Sequence, residues 1–168
     1  MPTHCRFLCL VLSSVFCGCS PQTSHSEPPR VQTPLDVSEI DHIGFAVTDL
    51  DASRAFFVEV LGFRESGFDP DYPASFLSND RAFVTLWRVE DPPNAVAFNR
   101  RQNVGLHHLA LSVRSFDVLD ALHHEIASFP GARIEFSPEL AYGGPARHMM
   151  VRDPSGLRIE LVHRPDSK

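Results

Sequence analysis

Beyond residue 19 this chain of 168 residues has no cysteine; Cys5, Cys9, Cys17 and Cys19 account for all four. A disulfide framework and a thiolate-ligated metal are therefore excluded from the folded part, which must rely on its apolar core. Positive charge is scarce as well. Fifteen Lys and Arg face 21 Asp and Glu, a formal net charge of -6, and no basic stripe with interleaved aromatics is present. That balance excludes an electrostatic case for nucleic acid or for an anionic membrane surface. No long apolar run exists either: the best candidate, Phe7 to Phe16, is well short of the roughly 20 residues that a spanning helix needs.

What is present divides the chain into three parts. Arg6, the apolar run and Gly18-Cys19 fit a secretory leader of lipoprotein type over residues 1–19. Cys19 would then carry the lipid and be the one membrane contact, and the protein would be exported to a bacterial cell envelope. A leader without function would leave the protein cytoplasmic. Residues 20–37 hold Pro21, Pro28, Pro29 and Pro34 among Ser, Thr and Gln. This composition buries too little apolar surface to order itself and reads as a tether. Residues 38–165 carry the hydrophobic patterning of a domain.

That domain contains a repeat. His42, Val47, Asp51, Ala55, Glu59 and Phe63 recur, without a gap, as His108, Val113, Asp117, Ala121, Glu125 and Phe129, at an offset of 66 residues. Most intervening positions keep their apolar or polar character. Each copy reads as strand, helix and three further strands: module one over residues 40–90 and module two over 104–163. Asp49 or Asp51 caps a first helix running to about Leu61, and Ser115 starts a second that stops before Pro130-Gly131. Asp153-Pro154-Ser155-Gly156 forms the turn before the last strand. The fold class is α+β, with two paired βαβββ modules.

Side chains alternate along a strand. Ile43, Phe45 and Val47 share one face of the first strand, and His42, Gly44 and Ala46 share the other. The second module repeats this, with His108, Ala110 and Ser112 opposite Leu109, Leu111 and Val113. In the last strand Arg158, Glu160 and Val162 oppose Leu157, Ile159 and Leu161. The bulky faces require helices packed on them. The opposite faces set small residues beside ionisable groups, which need partners. Two imidazoles and a carboxylate meeting in such a hollow make a 2-His-1-carboxylate site for a divalent metal. A single strand histidine taken alone is a core group; the repeat-equivalent pair with an aligned Glu is what favours the metal.

Asp41-His42-Ile43-Gly44-Phe45-Ala46-Val47, His107-His108-Leu109-Ala110-Leu111-Ser112-Val113 and Asp153-Pro154-Ser155-Gly156-Leu157-Arg158-Ile159-Glu160-Leu161 resemble the vicinal oxygen chelate superfamily. That superfamily includes glyoxalase I, bleomycin-resistance proteins, fosfomycin-resistance thiol transferases and ring-cleaving dioxygenases. The resemblance implies an open, cupped mixed sheet with helices outside. It implies one divalent ion (Fe, Mn, Zn or Ni) held by His42, His108 and Glu160. The family's fourth ligand position falls on Thr85, where glyoxalase I has Glu or Gln. Ring-cleaving dioxygenases add a second-sphere His ahead of the second metal His, and a Tyr ten residues before the Glu. Here no His lies between His42 and His107, and position 150 is Met. The fosfomycin enzymes carry Thr two residues after the first His, where this chain has Gly44.

Phe83, Thr85, Trp87 and Met150 are then expected in the substrate pocket. His148, on the face of Met150, is a candidate catalytic acid or base. His107 should point away from His108 as a structural group, and His123-His124 should be solvated on their helix. The expected activity is a lyase, isomerase or dioxygenase step on a small molecule bearing neighbouring oxygens. The alternative is a binding protein that sequesters a small molecule without turnover. The modules would close on each other within one chain, or swap between two as a homodimer.

Overall fold

The computed structural model describes residues 39–165; the expected leader and tether lie outside them. No described helix is long and apolar enough to cross a membrane. The first module runs β1 (Ile43–Val47), α1 (Leu50–Ala55), a π-helical turn (Phe56–Val60), β2 (Arg64–Asp69), β3 (Ala74–Ser78) and β4 (Phe83–Arg88). The second runs β5 (Leu109–Ser112), α2 (Phe116–Ser128), β6 (Arg133–Leu140), β7 (Arg147–Arg152) and β8 (Arg158–His163). Each builds a four-stranded sheet, ordered β1-β4-β3-β2 and β5-β8-β7-β6. In each, the first strand pairs in parallel with the last, and the remaining pairs are antiparallel. This is the α+β arrangement of paired βαβββ modules. Hydrogen bonding stops at β1 and β5, so each sheet keeps its own ladder and presents the repeat strand as an edge.

The period-two pattern explains the core. Phe45, Val47, Val84, Leu86, Leu109, Met149, Val151, Ile159 and Leu161 all enter one buried cluster. The helices complete it. Asp49 caps α1 by accepting from the Ala52 amide at 2.9 Å, and Ser115 caps α2 by accepting from the Val118 amide at 3.2 Å; each satisfies an N–H that the helix start leaves free. The first helix does not continue regularly to Leu61. It widens at Phe56, where the Leu61 amide bonds the Phe56 carbonyl at 3.3 Å. This widening coincides with consecutive Phe56 and Phe57, both fully buried. Phe56 meets Phe129 of the second module edge-on at 5.4 Å.

A polar seam also joins the modules. Ser53 on α1 donates to Asp153 at 2.6 Å in a buried setting, and the Asp49 amide donates to Ser155 at 3.0 Å. The turn around Asp153 thus has a cross-module duty besides reversing the chain. Gly156 closes it with φ +91°, in the left-handed region that disfavours any side chain. Strand β6 runs from Arg133 to Leu140. It continues through Pro138, which its edge position and the register shifts between Phe136 and Glu139 permit.

Candidate functional site

Because the even-spaced apolar residues face the helices, the opposite sheet faces stay open. On module two that face carries three rows set by the strand register. Arg152 lies beside Arg158, Met150 beside Glu160, and His148 beside Val162, while Ala110 and Ser112 continue the second and third rows on β5. Glu160 is nearly buried among them. Its Oε2 lies 3.0 Å from His108 Nε2, and its Oε1 lies 2.5 Å from His148 Nδ1. Each carboxylate oxygen therefore faces one imidazole. His148 is held by rings on its other sides, with Phe136 at 5.0 Å and Tyr142 at 5.9 Å.

The expected opposition of His107 and His108 does not occur. Hydrogen bonding in β5 begins only at Leu109, so alternation does not govern the two residues before it. The Nδ1 atoms of His107 and His108 approach to 2.8 Å, and one ring supplies the proton. His107 is exposed. Its pKa is held below the ordinary imidazole value by desolvation and then by the positive charge of Arg158. His123 also departs from the expectation of a solvated group: it is half-buried, and its Nε2 lies 3.0 Å from Ser137 Oγ.

On module one the open face holds His42, Gly44, Phe83, Thr85 and Trp87. Thr85 is buried and accepts from Trp87 Nε1 at 2.8 Å. A Cβ at Gly44 would meet Thr85 Oγ1 at 3.1 Å and Trp87 Nε1 at 3.6 Å, which is why residue 44 carries no side chain here. Trp87 also packs on Tyr72 at 5.0 Å and Phe76 at 5.7 Å, giving an aromatic floor. His42 lies just before β1. Its side chain is 49% exposed, its Nδ1 is 2.6 Å from Asp41 Oδ1, and its ring lies against Phe83.

The structure thus brings His108, His148 and Glu160 together, with Met150 beside them. Among the described residues His42 makes no hydrogen bond or ion pair with that group; its partners are Asp41 and the Phe83 ring. Among the described residues no three His, Cys, Asp or Glu side chains are grouped so as to hold a metal ion. The His108–Glu160 pair nonetheless suits a shared ion, since about 3.0 Å is the edge between adjacent ligands of an octahedron with bonds of roughly 2.1 Å. His108 also has its second nitrogen engaged by a neighbour, as metal-bound histidines require.

The model of the Glyoxalase/Bleomycin resistance protein/Dioxygenase superfamily matches residues 39–161. The chain belongs to that superfamily. It is 28% identical over 137 residues to the uncharacterised Escherichia coli (strain K12) protein YaeR, covering 77% of this chain and 99% of that protein. It is 26% identical over 148 residues to a 2-epi-5-epi-valiolone epimerase of Actinomyces sp., covering 75% and 79%. A crystal structure of a glyoxylase/bleomycin resistance protein/dioxygenase domain from Frankia sp. EAN1pec shares the fold, with TM-score 0.65, 22% identity, and coverage of 79% of this chain and 96% of that one. An enzyme is therefore among the relatives of this superfamily member.

The residues that the sequence reading missed are Glu135, Arg152 and Arg158, which meet at the far end of the same open face. Arg158 lies two positions before Glu160 in one strand, and that spacing alone puts them on one face. The partners Glu135 and Arg152 depend on register between distant strands.

Proposed function

We propose that this superfamily member is a metal-dependent enzyme acting on a small molecule with neighbouring oxygens, and that two chains pair to build its site. The observation that carries the reading is the 3.0 Å approach of His108 Nε2 to Glu160 Oε2 on an open sheet face. His42, exposed on the other module beside Gly44 and Ala46, is the third ligand, supplied by the second chain. A bound divalent ion would polarise a substrate oxygen and stabilise developing negative charge. Glu160, with one oxygen toward the ion, keeps its other oxygen on His148. That 2.5 Å contact lets His148 hold a proton next to the reacting centre and pass it across the face. Met150, Thr85 and the rings of Phe83 and Trp87 exclude water and orient the substrate. The enzymatic character of the epimerase relative favours turnover over sequestration.

Metal analysis of the purified protein tests the reading. The wild-type chain should carry a divalent ion in stoichiometric amount. His108→Ala and Glu160→Ala should lose it while keeping a native circular dichroism spectrum, because Ala is already tolerated on this face at position 110. Retention of the ion by both folded variants would discard the site.

A further inference from the structure

The open face of module two does not end at Glu160. Two positions earlier on β8 stands Arg158, whose register partner on β7 is Arg152. Both guanidiniums share one carboxylate: Arg152 Nε and Nη2 each lie 2.7 Å from Glu135 Oε1, and Arg158 Nε lies 2.8 Å from Glu135 Oε2. Arg152 Nη1 also donates to the Gly156 carbonyl at 2.8 Å, and Arg158 Nη1 lies 3.4 Å from His107 Nδ1. Arg100, from the segment between the modules, lines the same cleft as both arginines. Among the described residues it makes no side-chain hydrogen bond or ion pair. The cleft measures about 310 Å³, and Phe98, Leu106 and Leu157 give it apolar walls. His108 lines it too, so the cleft opens onto the imidazole that bonds Glu160.

The charge at this end is one-sided. Two guanidiniums share one carboxylate and a third arginine lines the same cleft, in a chain whose formal net charge is -6. A structural ion pair needs one arginine for Glu135; the others are surplus. The surplus is also partly desolvated, since the side chains of Arg158 and Arg152 are only 11% and 22% exposed. Surplus charge held out of water is costly unless an anion completes it. Guanidinium forks suit the oxygens of carboxylate and phosphoryl groups alike.

We infer that this cleft binds the anionic group, carboxylate or phosphoryl, of a small substrate whose apolar body rests on Phe98, Leu106 and Leu157. That the same molecule also reaches His108 and Glu160 rests on the function proposed above. Two residues along a strand span roughly 7 Å, so the anionic group would sit about that far from the reacting oxygens.

Titration calorimetry at low salt tests the inference with benzoate, phenyl phosphate and the uncharged benzyl alcohol. At least one anion should bind about tenfold or more tighter than benzyl alcohol, the scale of one charge-assisted contact. The better anion identifies the head group. Arg100→Gln, which removes no partner of Glu135, should weaken that anion about tenfold. Glu135→Gln should tighten it by freeing both arginines, whereas a purely structural ion pair predicts no gain. Binding should persist in Glu160→Ala, which separates this cleft from the metal site. Equal binding of charged and neutral probes, indifference to Arg100→Gln, weaker binding in Glu135→Gln, or loss in Glu160→Ala would each overturn the inference.

Discussion

Two carboxylates near the β7–β8 turn of module two show how surroundings give one residue type different behaviour. Burial pushes the Asp153 carboxyl above its ordinary value, against the hydrogen bonds of Ser53 and of the Leu157, Ser155 and Gly156 amides. Burial acts upward on Glu135 too, but hydrogen bonding and attraction from Arg158, then Arg152, outweigh it and hold its carboxyl low. The consequences for stability have opposite signs. Asp153 keeps its proton to higher pH when folded than when unfolded. Its contribution is therefore greatest below the unfolded carboxyl value and is lost as pH rises through the folded one. Glu135 contributes above its unfolded value and loses that contribution as pH falls through the folded one. Asp153→Asn cannot ionise, so its stability relative to the wild type should improve as pH rises from 4 to 7. Urea unfolding midpoints across that range check this; a relative loss with rising pH would contradict the assignment.

At the scale of elements, the modules are joined by the back of their helices rather than by strand pairing. Phe56, at the start of the π-helical turn, is fully buried and meets Phe129 just after α2. The ring pair occupies repeat-related helices without being repeat-equivalent: residue 56 corresponds to Leu122, and Phe129 to Phe63. Removing the Phe56 ring leaves a cavity between modules as well as within one. Phe56→Ala should cost about 3–5 kcal/mol and lower the denaturation midpoint in urea with little change in the slope. A cost below about 1 kcal/mol, the range of ordinary surface changes and mild losses, would show that the helix contact does not hold the modules together. The seam of Ser53, Asp153 and Ser155 supplements this packing with direction: its hydrogen bonds fix how α1 meets the turn before β8.

For the whole molecule, His42 makes no hydrogen bond or ion pair with His108 or Glu160 among the described residues, while β1 and β5 both remain edges. Pairing of two chains would let module one of each meet module two of the other. Mixing provides the check. His42→Ala and Glu160→Ala chains should each lose the ion alone. Unfolded, combined in equal amounts and refolded, they should regain it in part, because a mixed pair contains one intact set of ligands and one doubly defective set. Closure within a single chain predicts no recovery, since every chain in the mixture then lacks one ligand of its own site.

Local pattern determined much of this protein by itself. Period-two alternation in strands is a local property, and so is capping by Asp49 and Ser115; both can be read from adjacent residues. The 66-residue repeat announced two βαβββ modules. The faces of β1, β5 and β8 follow the same logic, so Glu160 and its small neighbours were legible in advance. What tertiary structure alone decided are relations between segments far apart in sequence. The bond from His148 to Glu160 depends on the β7–β8 register, and the arginine pair on Glu135 depends on the register of β6 as well. The meeting of His107 with His108 arises because the ladder starts only at Leu109, after both of them, so alternation does not separate them. The place of His42 relative to the other candidate ligands depends on how two modules, each complete in its own hydrogen bonding, are set against each other. No periodicity within either module encodes that.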